Sequence, residues 1–254
     1  MRMYVVDALT SEENCSGHRR VCLGDGFPEA SSVRKLLEEN GLRKIIFAVR
    51  NEKGYDLRCF TPEGEENLSG EDILAGGCAI SSETGNPPDP LLFFTRTGFY
   101  SLRQEDGLYK LTMNAEKPEV YTPGRLPGSG QMNNKNVLEI ALSRCVILRM
   151  DSEEAVRDFD PEGYWSEVPE GLGLIVTAQC PGKDYDLAYR FFVRTPVLEC
   201  SLIEMFYGAL VSFWDEKLPK ALMKARRLAG DCGTILCGAE NGSVFISLNP
   251  QRSP

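Results

Sequence analysis

A chain of 254 residues exceeds a typical single domain, so one large or two modest domains, each with its own core, are expected. Lysine and arginine number 28 against 37 aspartates and glutamates, and the resulting net charge of −9 argues against nucleic acid or an anionic membrane as partner, since both select basic patches. No apolar run approaches a bilayer span and Asp7 falls where a signal peptide would stay apolar, so a cytoplasmic protein is expected.

The first half opens with a predicted strand at 3–8, a polar loop through Arg20 and a second strand at 21–23. Val33, Leu36 and Leu37 give residues 30–40 helical spacing, which stops at Asn40-Gly41. Strands at 42–49 and 55–60 pair across the turn at 51–54. Thr61-Pro62 then turns the chain toward a helix over 69–84, whose small residues Ala75, Gly76 and Gly77 predict burial among closely approaching strands. Gly85-Asn86-Pro87-Pro88 ends it, and strands follow at 91–95, 100–104 and 108–113, the last two joined at Asp106-Gly107.

Residues 123–136 are rich in Gly, Pro and Asn and read as a linker, which places the domains at 1–122 and 123–254. Beyond it the pattern predicts a short helix at 137–142, a strand at 145–150, a Ser-capped helix at 153–159 and a buried strand at 173–178. A strand at 185–193, a long apolar helix at 201–218, a basic stretch at 220–227 and strands at 234–237 and 244–248 complete the chain. Nine scattered cysteines with no C-x-x-C, beside one histidine, argue against a disulfide framework or a zinc site.

Two stretches share an order of features. Tyr55-Asp56-Leu57, Thr61-Pro62 and a helix opened by Ser69-x-x-Asp72 are echoed by Tyr185-Asp186-Leu187, Thr195-Pro196 and a helix opened by Ser201-x-x-Glu204. Both openings have capping-box spacing, and the common order argues for a duplicated unit built around one buried helix. A helix N-terminus reached from a strand is an anion site, because its first amides lack partners and carry the positive end of the dipole. Here the chain supplies an occupant: the serine and the acid of each box cap those amides themselves.

With Val6-Asp7-Ala8-Leu9-Thr10, R-C-F-T-P-E-G-E at 58–65, N-L-S-G-E-D-I-L-A at 67–75, F-F-T-R-T-G at 93–98 and Phe213-Trp214-x-x-Lys217-Leu218, the sequence resembles the PhzF-like (phenazine-biosynthesis-like) family, relatives of diaminopimelate epimerase. The resemblance spans nearly the whole chain. It implies an α+β fold of two pseudo-symmetric domains, each a β-barrel-like sheet wrapped around a central helix, with a small-molecule site in the cleft between the two helix starts. It also implies proton-transfer isomerisation of small carboxylic acids without metal or organic cofactor, often as a homodimer.

The positions that carry that chemistry differ from the family pattern. Lys44 stands where the resemblance implies a glutamate base, Glu71 where it implies a histidine, and Ser69 where it implies a cysteine. Glu199 is kept, but Cys200, Ser201 and Glu204 replace the usual run after it; Gly17-His18-Arg19 and Asp231-Cys232-Gly233 replace two further glycine motifs. Lys44, Glu71 and Cys200 are therefore the candidate catalytic positions, and Gly17, His18, Ser69, Gly70, Asp72, Ser201, Glu204, Asp231 and Gly233 the candidate substrate-binding ones.

Charge weighs against the ancestral substrate. Glu71, Asp72 and Glu204 put negative charge at the helix starts, and two like charges about 4 Å apart repel by about 4 kcal/mol at an effective dielectric near 20. Lys44 has a base role if burial lowers its pKa, or an ion-pair role with Glu71 or Glu204 that raises it. Arg58 and Glu65 read as a structural pair, and the His18-Arg19-Arg20 cluster as a solvated loop. Two readings follow: a catalytically degenerate family member kept for binding or assembly, or an active isomerase or epimerase with remodelled residues. A structural subunit with an exposed apolar face is a third.

Overall fold

The computed structural model describes residues 2–7, 18–68, 70–96, 98–105, 107–121, 136–194, 204–228 and 234–248. They form two compact units, Met1–Asn114 with Ser247–Pro254, and Ala115–Ile246. Except for Asn136, the linker expected at 123–136 lies outside the described residues.

The first unit runs β1 (Arg2–Asp7), β2 (His18–Gly24), α1 (Ala30–Glu39), β3 (Ile45–Arg50), β4 (Tyr55–Thr61), β5 (Gly64–Glu66), α2 (Gly70–Thr84), β6 (Leu91–Phe94), β7 (Phe99–Glu105) and β8 (Leu108–Asn114). Its sheet order is β1-β2-β3-β4-β6-β7-β8, with β5 folded back on β4. Two neighbouring pairs are parallel, β2 with β3 and β4 with β6, and parallel neighbours need a crossover; α1 supplies the first and α2 the second. The two helices take opposite faces. Cys22, Ile45, Phe47 and Phe60 pack with Val33 and Leu37 of α1, whereas α2 packs against β1, β2, β3 and β8.

Being covered on both sides, β3 is an unbroken apolar run, from Ile45 and Ile46 at 0 % exposure to Val49 at 9 %. The small residues of α2 permit the enclosure. A Cβ on Gly76 would lie 3.3 Å from Leu57 of β4, and one on Gly77 only 2.3 Å from Leu102 of β7.

The second unit contains β9 (Glu119–Tyr121), β10 (Val137–Leu142), β11 (Cys145–Met150), α3 (Glu153–Arg157), a 3-10 turn (Glu162–Tyr164), β12 (Gly173–Gln179), β13 (Leu187–Phe192), α4 (Glu204–Asp215), β14 (Met223–Arg227), β15 (Thr234–Glu240) and β16 (Ser243–Leu248) as far as Ile246. Again two neighbouring pairs are parallel, β11 with β12 across α3 and β13 with β14 across α4. Bulky side chains fill the space around α4: Phe206, Tyr207, Leu210, Phe213 and Trp214 are all buried. The Trp214 indole donates to the Thr177 hydroxyl at 3.0 Å, and that hydroxyl donates to the Ala188 carbonyl at 2.8 Å. No described helix is long and apolar enough to cross a membrane.

Several expectations are corrected. Residues 137–142 are a strand, not a helix: V-L-E-I-A-L suits either period, and pairing with β9 on one side and β11 on the other decides it. Part of the basic stretch is β14, because Met223 and Ala225 point inward between outward lysine and arginine. The short strands β5 and β9 were not expected at all, and the loop expected to run through Arg20 is β2 from His18 onward.

Candidate functional site

The start of α2 is where Lys44, Gly70 and Asp72 of the expected site residues meet. Its approach is fixed from two sides. Arg58 grips Glu65 at two points, Nε to Oε1 at 3.0 Å and a terminal nitrogen to Oε2 at 2.5 Å. The same guanidinium lies 4.9 Å and 5.2 Å from the ring centres of Phe27 and Phe60. Its hydrogen bond holds the Glu65 carboxyl below the usual range. On the other side the Asn67 carbonyl oxygen accepts from Arg96 at 2.8 Å.

Asp72, the third residue of α2, is 0 % exposed. A carboxylate buried that deeply needs partners, and two cations provide them: Arg19 Nε donates to Oδ1 at 3.0 Å and Lys44 Nζ to Oδ2 at 2.6 Å. Sheet register brings the cations together. Val21 pairs with Ile46 across the parallel β2 and β3, and Arg19 and Lys44 each lie two residues before that pair, hence on the same face. The first turn of α2 adds its dipole to the support of the carboxylate.

The protonation states follow. Burial works against the Lys44 ammonium, but the charge of Asp72, helped by Cys59 and by the hydrogen bond to Asp72, outweighs it and raises the pKa above a lysine's ordinary value. Burial pushes the neighbouring Cys59 thiol up to about 12 against the opposing pull of Lys44. At neutral pH this cluster holds an ammonium and a thiol, with neither a free amine nor a thiolate.

Three expected site residues, Lys44, Gly70 and Asp72, are thus brought to one helix start. Glu71 lies in the same turn and Glu204 opens α4, but their side chains, like that of His18 at the start of β2, lie outside the described residues, as do Gly17, Ser69, Cys200, Ser201, Asp231 and Gly233. Two corrections concern partners. Among the described side chains the acid on Lys44 is Asp72, while the Glu71 and Glu204 side chains expected there lie outside the described residues; Arg19 is a strand residue on that acid instead of part of a solvated loop. The charge of Asp72 therefore meets two cations and does not stand unopposed at the helix start. Arg19 was missed because the strand was begun too late; the alternation of Arg19, Val21 and Leu23 is the signal that extends it. Among the described residues no group of three His, Cys, Asp or Glu side chains is placed to hold a metal ion.

At the corresponding helix of the second unit, the buried hydroxyls of Tyr207 and Tyr189 lie 2.9 Å apart, and burial raises the Tyr207 pKa well above its ordinary value. The Tyr207 phenol therefore stays uncharged, able to donate and to accept.

No family model matches the chain. A protein of Halalkalibacterium halodurans named as an uncharacterized isomerase is 25% identical over 250 residues, 96% of this chain and 93% of the relative. Among solved structures, a putative phenazine biosynthesis PhzC/PhzF protein from Clostridium difficile is 26% identical, with a TM-score of 0.78 over 99% of this chain and 96% of that one. A PhzF-family phenazine biosynthesis protein from Enterococcus faecalis, 22% identical, superposes with a TM-score of 0.80 over the same shares.

Proposed function

Because the chain is PhzF-like in sequence and has the diaminopimelate-epimerase-like α+β fold, we propose that it is an isomerase-family protein whose proton-transfer position is silent and whose present role is to bind a small molecule or to support assembly. One observation carries this: Lys44, at the position where the family resemblance implies a carboxylate base, is an ammonium held 2.6 Å from a fully buried Asp72. An ammonium with a raised pKa has no lone pair with which to take a proton, and it is a reluctant donor. Cys59 is no substitute, since its thiol stays protonated. The same order of strands and crossover helices in both units supports reading the chain as an internal duplication; the family resemblance implies small-molecule binding at the helix starts.

Solvent exchange tests it. The protein is incubated in deuterated water with a panel of amino acids and small carboxylic acids, and each is examined by mass spectrometry for incorporated deuterium. No enzyme-dependent incorporation is expected. Incorporation that Lys44→Met abolishes overturns the proposal in favour of an active isomerase with remodelled residues.

A further inference from the structure

The silence of Lys44 has two possible origins, absence of a basic group or suppression of one, and the geometry distinguishes them. Lys44 is an amine with its side chain 25 % exposed, so solvent reaches it, while its partner carboxylate is 0 % exposed. The described charged and titratable groups around it come from four elements: Arg19 on β2, Cys59 on β4, Asp72 on α2, and Glu66 on β5, which acts on the Cys59 thiol. Burial and the like charge of Arg19 both disfavour an ammonium here, and Asp72 is the dominant group on the other side. We infer that Asp72 gates the amine of Lys44: this buried carboxylate, 2.6 Å from the ammonium, keeps the lysine charged, and without it the amine would turn neutral at a lower pH. This rests on the proposal that Lys44 is silent, and it adds that one contact is what silences it.

The gate has a distinctive signature, because the two groups on Lys44 act in opposite directions. Removing the charge of Asp72 leaves burial and Arg19 acting together against the ammonium, so a neutral, nucleophilic amine appears at lower pH. Removing the charge of Arg19 takes away a like charge that acts against the ammonium and holds Lys44 more firmly protonated. A merely structural contact would loosen in both variants and move both the same way.

Trace acetylation of the folded full chain with acetic anhydride, quantified residue by residue by mass spectrometry from about pH 7 to about pH 12, reads this directly. Lys35, on the exposed side of α1 with its side chain 74 % exposed, serves as the internal standard. In the unmodified chain the Lys44 midpoint should lie above a lysine's ordinary value. Asp72→Asn should raise the Lys44-to-Lys35 labelling ratio about tenfold or more at about pH 8, the equivalent of at least one pKa unit, and Arg19→Gln should lower it.

An unchanged ratio in an Asp72→Asn variant with native circular dichroism overturns the inference, as does a Lys44 midpoint at or below a lysine's ordinary value in the unmodified chain. Should Asp72→Asn fail to fold, the midpoint and Arg19→Gln still decide, and a ratio raised by Arg19→Gln overturns the gate. Deuterium incorporation by the unmodified chain would overturn the proposed function while leaving these labelling ratios untouched, so the two failures are separable.

Discussion

Asp72 and Glu153 are the carboxylates buried most deeply among the described residues, at 0 % and 7 % exposure, and each is held charged by several donors. Glu153 opens α3 behind the Ser152 cap, accepts from the Tyr185 hydroxyl at 2.6 Å, and pairs with Arg157 and with Lys183. Burial raises its pKa, but Tyr185 and the two cations prevail and leave it below the ordinary glutamate value. A depressed pKa gives stability that is present above the unfolded value and lost as pH falls through the folded one. Glu153→Gln should therefore lower the unfolding free energy at neutral pH by about 1.5 to 3 kcal/mol, the range for hydrogen bonds to a charged group. Urea titrations should show that gap closing below about pH 4.5, where the native carboxylate protonates too; a gap independent of pH would mean that folding leaves the Glu153 pKa unchanged. The sequence named Lys44 and Asp72 separately and did not pair them with each other. Their separation along the chain is bridged only by the register of β2 on β3 and the seating of α2, and a capping motif describes only neighbours within one turn.

Elements were more legible than partners where one period dominated. The runs I-I-F-A-V in β3 and L-I-V-T-A in β12 have no competing interpretation, and α2 announced its enclosure through Ala75, Gly76 and Gly77. Ambiguity remained where six residues fit both periods, as in β10, or where strands are three residues long and owe their existence to a neighbour's unpaired edge, as in β5 and β9. Glycines in the second unit show how closely strand and helix meet. A Cβ on Gly173 would sit 2.3 Å and 2.6 Å from the Phe206 ring and 3.1 Å from the Phe192 carbonyl oxygen. Phe206 is 2 % exposed and stacked on Phe191 at 5.1 Å, so its ring has no free space to enter. Gly173→Ala should then destabilise by about 1 to 3 kcal/mol despite alanine's lower backbone entropy, because overpacking outweighs that gain. Chemical denaturation measures it, and an unchanged or higher midpoint would show that α4 can shift away from β12 without loss.

At the scale of the molecule, what was legible was a repeated plan: each unit has two parallel strand pairs, the first crossed by a helix on one face and the second by the apolar core helix. The plan shows in the sequence because the motifs around Tyr55 and Tyr185 lie at the same stage of it, whereas the packing that realises it differs, with glycines in α2 against aromatics in α4. Charge is the other property that belongs to the whole chain. With 28 basic against 37 acidic residues, the excess is negative, and many of the described cations are already engaged: Arg19 and Lys44 by Asp72, Arg58 by Glu65, Arg149 and Lys217 by Glu139, and Lys220 by Asp186. Cations neutralised in pairs cannot release counterions from a polyanion, so the salt-dependent attraction that drives non-specific nucleic-acid binding has little to act on. The chain should pass through immobilised heparin at low ionic strength and be retained by an anion exchanger at neutral pH. Heparin retention that weakens with added salt would instead reveal a cluster of unneutralised cations, and would reopen the case for an anionic macromolecular partner.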